Sequence, residues 1–183
     1  MDAIELETER LALRRFAPTD ADAALLVDLD SDPEVMRFVM RFAPYTVEGY
    51  RERIGVWQGF AARPERGVWA VTEKATGAFL GWVMLRDAPE HRFAAEIGWT
   101  DPTELELGYR FRRAAWGKGY ATECAAAVTR RGLCDPDVTA VVAVAVVTNR
   151  ASVRVMEKVG LSFEREIALP GYDAPGVVYA LRR

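Results

Sequence analysis

Residues 138–147 read VTAVVAVAVV, the longest apolar run in the chain. It is far too short to span a bilayer and has the length of a strand. Continuous β-branched runs of this kind are strands buried on both faces of a sheet, with helices covering them. The flanks carry the helices. Upstream, the stretch GKGYATECAAAVTRRGL predicts a helix over about 118–132, with Ala121, Cys124, Ala125 and Val128 on its inner face. An Asp135-Pro136-Asp137 turn separates it from the run. Downstream, Asn149 is placed to cap a helix over RASVRVMEKV, which Gly160 ends as the residue just past its last turn.

The rest of the chain extends the same plan. Residues 4–16, IELETERLALRRF, suit a first strand. Pro18-Thr19-Asp20 announces a helix, and Asp32-Pro33-Glu34 announces a second, with proline at the first helical position. Thr46 caps a third, whose apolar positions Tyr50, Ile54, Trp57 and Ala61 form a helical stripe. Strands follow over 68–73 and 79–86 around a Lys74-Ala75-Thr76-Gly77 turn. Residues 91–100 read as a strand-like stretch or loop, 103–112 as a strand, and 161–169 with 175–181 as a last strand pair. This order describes an α/β protein with one central sheet. No internal repeat and no linker interrupts it, so residues 1–183 are expected to form one domain.

Composition removes several function classes. Half of the 183 residues are hydrophobic, so a packed core forms and disorder is excluded. The net charge of −3 argues against a nucleic-acid surface. Cys124 and Cys134 stand ten apart with a single histidine, His91, so metal-site spacing is absent and no metal is expected. The charged start, MDAIELETERL, lacks a signal core. The expectation is a soluble, cytoplasmic protein with no membrane partner.

Residues 116–123, WGKGYATE, carry the chemistry. A strand, a Gly-x-Gly turn and a helix in sequence either make a tight turn or close around an anion at the positive end of a helix dipole. A Walker loop is absent. A dinucleotide site needs an acid at the end of the next strand, and position 148 is threonine.

The segment resembles the pyrophosphate loop of the GCN5-related N-acetyltransferases (GNAT), an arginine or glutamine followed by x-x-Gly-x-Gly/Ala. Gly119 and Ala121 match, while Trp116 replaces the first residue. Trp116 followed by Gly-Lys-Gly-Tyr-Ala-Thr-Glu is similar to the branch that acetylates ribosomal-protein N-termini at alanine or serine. Thr8-Glu9-Arg10-Leu11, Asp32-Pro33-Glu34-Val35, Glu106-Leu107-Gly108-Tyr109 and Asn149-x-x-Ser152 through Glu157-Lys158-Val159-Gly160-Leu161 resemble other landmarks of that branch in the same order, so the resemblance implies a recognisable core over about 6–181 within the single domain 1–183.

The resemblance implies acetyl-CoA as co-substrate and a mixed sheet splayed between the family's fourth and fifth strands, flanked by about four helices. The cofactor-binding residues it implies are Trp116, Gly117, Lys118, Gly119, Tyr120 and Ala121 in the loop, Tyr109 and Phe111 on the fourth strand, and Asn149. An unpaired backbone N–H at Tyr109 or Phe111 would polarise the thioester carbonyl. Arg112, Arg113 and Lys118 would meet CoA phosphates or simply be solvated. Amine acetylation needs a proton acceptor. Glu106 takes that role, directly or through water, with Glu96 in reserve and His91 disfavoured. The family's helix tyrosine, an acid for the departing thiolate, is replaced here by Met156. Ser152 is the branch's substitute, or no acid is used. Cys124 faces the core and is not a nucleophile.

Arg37, Arg41, Phe42, Tyr45 and Trp57 are acceptor-site candidates by location, and the Pro170–Asp173 turn closes over the acceptor. The expected partner is a primary amine, on a small molecule or a protein N-terminus. A homodimer stays open. A non-catalytic acyl-CoA-binding domain on the same fold is the rival reading, and an aminoacyl-tRNA modifier a second.

Overall fold

The computed structural model describes residues 4–40, 45–59 and 63–183. In chain order the elements are β1 (Ile4–Glu7), β2 (Leu11–Arg15), α1 (Asp20–Ser31), α2 (Val47–Gly59), β3 (Gly67–Glu73), β4 (Phe79–Asp87), α3 (Ala94–Ile97), β5 (Glu104–Phe111), α4 (Tyr120–Gly132), β6 (Ala140–Val146), α5 (Arg150–Val159), β7 (Ser162–Ile167) and β8 (Gly176–Arg182). The strands form one mixed sheet in the order β1-β2-β3-β4-β5-β6-β8-β7.

The apolar run is β6, lying between β5 and β8. One face of the sheet packs on α4 and α5 through Leu85, Leu105, Val141, Cys124, Val128 and Met156. The other face packs on α1 and α2 through Leu26, Tyr50, Ile54, Ala70 and Met84. Small residues bring α4 close. A Cβ on Gly132 would lie 2.4 Å from Leu85 Cδ2, so only glycine fits that spacing without repacking.

Three expectations change. The stretch 4–16 is two antiparallel strands, because Thr8 N–H turns back to Leu11 O at 2.9 Å. Asp32-Pro33-Glu34 opens a series of turns and not a helix. Met36 N–H reaches Asp32 O (3.1 Å), but the bonds then shorten to three-residue turns. Residues 94–97 form the one-turn helix α3, closed by Gly98 in the left-handed region (φ 78°). Ala61, Arg41 and Phe42 lie outside the described residues.

The helix signals act as read. Thr19 Oγ1 accepts from Asp22 N–H and Thr46 Oγ1 from Gly49 N–H. Asn149 Oδ1 accepts from Ser152 N–H, and Gly160 ends α5 at φ 101°. The β5–β6 pairing positions the site. These strands run parallel and pair only at Glu104–Ala140, Leu105–Val141 and Glu106–Val142. Beyond Glu106 they splay, although β5 stays paired with β4 up to Phe111.

Candidate active site

The splay opens a cleft of about 530 Å³, within the range of small-molecule sites. Its walls come from both faces of the sheet. Tyr109, Phe111, Ala121, Asn149 and Ser152 line one part, and Val35, Arg37, Phe38 and Arg110 another.

Strand alternation sets which backbone groups look into it. Arg112 N–H donates to Leu80 O beside β4, while Thr103 O accepts from Thr139 on the β6 side. With a period of two, the odd-numbered residues of β5 turn their peptide groups toward the splay. Tyr109 and Phe111 are therefore aimed at a strand that has moved away. Phe111 O is used by Trp116 Nε1–H (2.8 Å). That bond ties the loop to the strand end and gives Trp116, half exposed, a structural role.

The loop then turns through two left-handed glycines, Gly117 (φ 73°) and Gly119 (φ 83°). Both need φ values that side chains resist. Gly119 is the N-cap of α4 and offers no capping side chain. The first N–H groups of α4 are thus left without intrahelical acceptors, at the positive end of its dipole. Gly117, Gly119, Tyr120, Ala121 and Thr122 line the cleft there. A backbone arrangement of this kind can hold an anion.

Its outer side is stapled. Arg10 Nη1–H donates to Lys118 O (3.0 Å), and Arg10 Nε–H to Glu123 Oε2 (2.7 Å). Thr8 Oγ1–H and the Arg10 N–H both donate to Glu123 Oε1. Burial pulls the Glu123 carboxyl up, but these bonds outweigh it and hold it below the usual range. Arg10 also lies over the Tyr120 ring at 4.5 Å, and the Tyr120 hydroxyl donates to Glu73.

The cations named from the sequence have these surroundings. Lys118 is exposed and outside the cleft lining. Arg112 pairs with Asp28 and Arg113 with Asp32, both at 2.7 Å. Arg154 and Lys158 line the cleft instead. They stand four apart on α5, a spacing readable in the sequence as one helix face.

Tyr109 contributes more than backbone. Its hydroxyl donates to Ser152 O (2.8 Å) and shares a bond with Ser152 Oγ (2.9 Å). Burial pushes this phenol up, and the Ser152 bond only partly opposes it. It keeps its proton at neutral pH. Ser152 thus stands in the cleft beside a second hydroxyl that sequence reasoning had not paired with it.

Glu106 is the last residue before the splay and faces the side opposite Tyr109. It is nearly buried (7%) and outside the cleft lining. Arg86 Nε–H donates to its Oε2 at 2.7 Å, and His91 Nε2 lies 3.9 Å from Oε1. His91 Nδ1 accepts from Phe93 N–H (3.0 Å), so the neutral ring carries its proton on Nε2, toward Glu106. Burial lowers the His91 pKa, with Glu106 opposing. The reserve carboxylate, Glu96, is exposed on α3. Cys124 is fully buried and its thiol pushed up by that burial, which suits packing.

Of the acceptor candidates, Arg37 lines the cleft. Tyr45 stacks on Tyr50, and Trp57 packs against Phe16 and Trp82 beneath α2. Among the described residues, no helix is long and apolar enough to cross a membrane, and no cluster of three or more His, Cys, Asp or Glu is arranged to hold a metal.

Comparison with known proteins agrees with this geometry. The family described as "Acetyltransferase (GNAT) domain" matches residues 10–162. The uncharacterized protein YkkB of Bacillus subtilis is 30% identical over 96% of this chain and 94% of its own. The FsC-acetyl coenzyme A-N(2)-transacetylase of Aspergillus fumigatus is 32% identical over 80% of this chain and 60% of its own. Among solved structures, a RimL ribosomal L7/L12 alpha-N-protein acetyltransferase in complex with coenzyme A superposes with a TM-score of 0.78 at 15% identity, covering 98% of each chain. The ribosomal-protein-S5-alanine acetyltransferase of Vibrio fischeri gives 0.77 at 15% identity, over 99% of this chain and 97% of its own.

Proposed function

Because the chain belongs to the GNAT acetyltransferase family, we propose that it moves an acetyl group from acetyl-CoA to a primary amine, on a small molecule or a protein N-terminus, by direct transfer in a ternary complex. The observation that carries this reading is the splay of β5 from β6 leading onto the uncapped start of α4. The backbone cradle fits a diphosphate, and the unpaired edge of β5 fits an amide-bearing arm.

In this reading the N–H groups of Ala121 and Thr122 hold the diphosphate, with Arg154 and Lys158 as counter-charges. The peptide groups of Tyr109 and Phe111 pair with the pantetheine arm, and Asn149 borders it while capping α5. Acetyl-CoA supplies the acetyl group as a reactive thioester. The free N–H on β5 polarises the thioester carbonyl. Glu106, which stands outside the cleft lining, takes the proton of the amine through a water as nitrogen bonds to carbon and the carbon–sulfur bond breaks. Ser152 gives its proton to the departing thiolate, and the Tyr109 hydroxyl orients it.

The test is a panel of alanine- and serine-initiated peptides, spermidine and an aminoglycoside, assayed for CoA release and for acetylated product by mass spectrometry. At least one amine is expected to drive release. Tight acetyl-CoA binding with no amine-dependent release would leave a binding domain in place of an enzyme.

A further inference from the structure

Residues 32–40 form the cleft wall that faces β5 and α5, through Glu34, Val35, Arg37, Phe38 and Val39. Within this series of turns, Glu34 N–H donates to Asp32 Oδ1, Met36 N–H to Asp32 O, Arg37 N–H to Glu34 O and Val39 N–H to Met36 O. Besides the packing of Val35, Met36 and Phe38, hydrogen bonds from outside hold it at two ends. At the first, Arg113 Nε–H donates to Asp32 Oδ2 (2.7 Å). The Arg113 side chain is 60% exposed there, so this pair holds weakly.

The second end is firmer. The Tyr172 hydroxyl accepts from Met40 N–H (3.0 Å) and donates to Phe38 O (3.0 Å). One phenol thus satisfies a backbone donor and a backbone acceptor on either side of Val39. The turn that carries it is seated on the same spot. Tyr172 N–H closes that turn on Leu169 O at 3.1 Å. Gly171 adopts φ 80°, and a Cβ there would lie 2.0 Å from Met40 Cε. Nothing else in the mechanism uses Tyr172, and it does not line the cleft itself.

We propose that Tyr172 is a positioning residue for the acceptor. It fixes Phe38–Met40, and through them the shape of the cleft wall remote from the α4 cradle. The inference rests on the acetyltransferase reading above, because only a transferase needs an acceptor wall. A group of this kind changes how the amine is held and leaves acetyl-CoA binding alone.

The variant is Tyr172→Phe, which keeps the ring and removes both bonds. Three readouts apply: amide exchange at Met40, acetyl-CoA affinity by calorimetry, and KM and kcat with whichever amine of the panel the wild type uses. Exchange at Met40 is expected to quicken about tenfold, and the KM for the amine to rise about five- to tenfold, the factor expected for a lost hydrogen bond. Acetyl-CoA affinity stays within about twofold, since the cradle is untouched. Unchanged exchange at Met40 overturns the latch. Faster exchange with an unchanged amine KM, or an equal loss of acetyl-CoA affinity, overturns its acceptor role. Should no amine in the panel be turned over by the wild type, the transferase reading and the acceptor role fail together, and exchange at Met40 alone decides whether Tyr172 holds the wall.

Discussion

Replacing Gly119 by aspartate separates a phosphate cradle from a simple turn. Gly119 sits at φ 83° as the N-cap of α4, and a Cβ there would come 3.4 Å from Arg10 Nη2, a contact that side chain can absorb. Any L-residue held left-handed costs about 1 kcal/mol, with asparagine and aspartate the least strained. Gly119→Asn therefore measures the backbone term with no charge. Gly119→Asp adds a carboxylate, taken for this calculation as about 6 Å from a diphosphate on the first N–H groups of α4. At an effective dielectric near 20 that repulsion is roughly 3 kcal/mol per charge pair before salt. Screening and the neighbouring Arg10, already engaged by Glu123, cut it to about 1.5–3 kcal/mol. The aspartate variant should therefore bind acetyl-CoA about 10- to 100-fold more weakly than the asparagine variant. Calorimetry at two salt concentrations reads the difference, and thermal unfolding confirms that both variants fold. Equal affinities in two folded variants would refute the cradle, and the loop would then be a turn only.

Glu106→Gln should lower kcat by about 10²-fold or more while acetyl-CoA binding persists, and loosening the Arg86 pair should cost about 1–3 kcal/mol of stability. Undiminished turnover in steady-state assays would remove Glu106 as the base. Arg154→Ala and Lys158→Ala should each weaken acetyl-CoA binding about three- to tenfold, more at low salt. A salt-independent loss would point to packing instead. Burial lowers the folded pKa of His91 below its reference 6.5, so its stabilising effect is complete above pH 6.5. As the pH falls below 6.5, the unfolded chain takes up a proton that the folded chain refuses, and stability is lost until the folded pKa is passed. Urea unfolding between pH 7.5 and 5 should show a shallower decline for His91→Gln than for wild type, and parallel declines would contradict this.

What the sequence made legible was whatever local chemistry decides. The caps at Thr19, Thr46 and Asn149, the Gly160 stop and the buried strand at 140–146 all depend on neighbours in the chain. Asp32-Pro33-Glu34 looked like a helix start by the same rules. The stretch that follows closes short turns on itself, and its far end, Phe38 O and Met40 N–H, bonds the Tyr172 hydroxyl 132 to 134 residues away, which no local rule sees. The hairpin at Thr8 escaped notice because its alternation continues across the turn, and its partner is Glu123 on α4. In the candidate site, glycine positions and β5 alternation were readable because backbone geometry follows residue type. The cations were not, because Arg112 and Arg113 find aspartates at the end of α1 while α5 turns Arg154 and Lys158 inward.

Within the sheet, among the described residues, β5 and β6 are laddered through three residue pairs. Mechanically the sheet is two plates meeting along a short seam, with the unstitched length left for something else to close. In the proposed reading, an arm bonded to Tyr109 and Phe111 would serve as the missing stitches, and the substrate would finish the sheet. Saturation with acetyl-CoA should then shore up the plates against each other, by about 2.7 kcal/mol at a hundredfold excess over Kd. Local opening of the empty protein would begin at the seam, with the outer strands still intact.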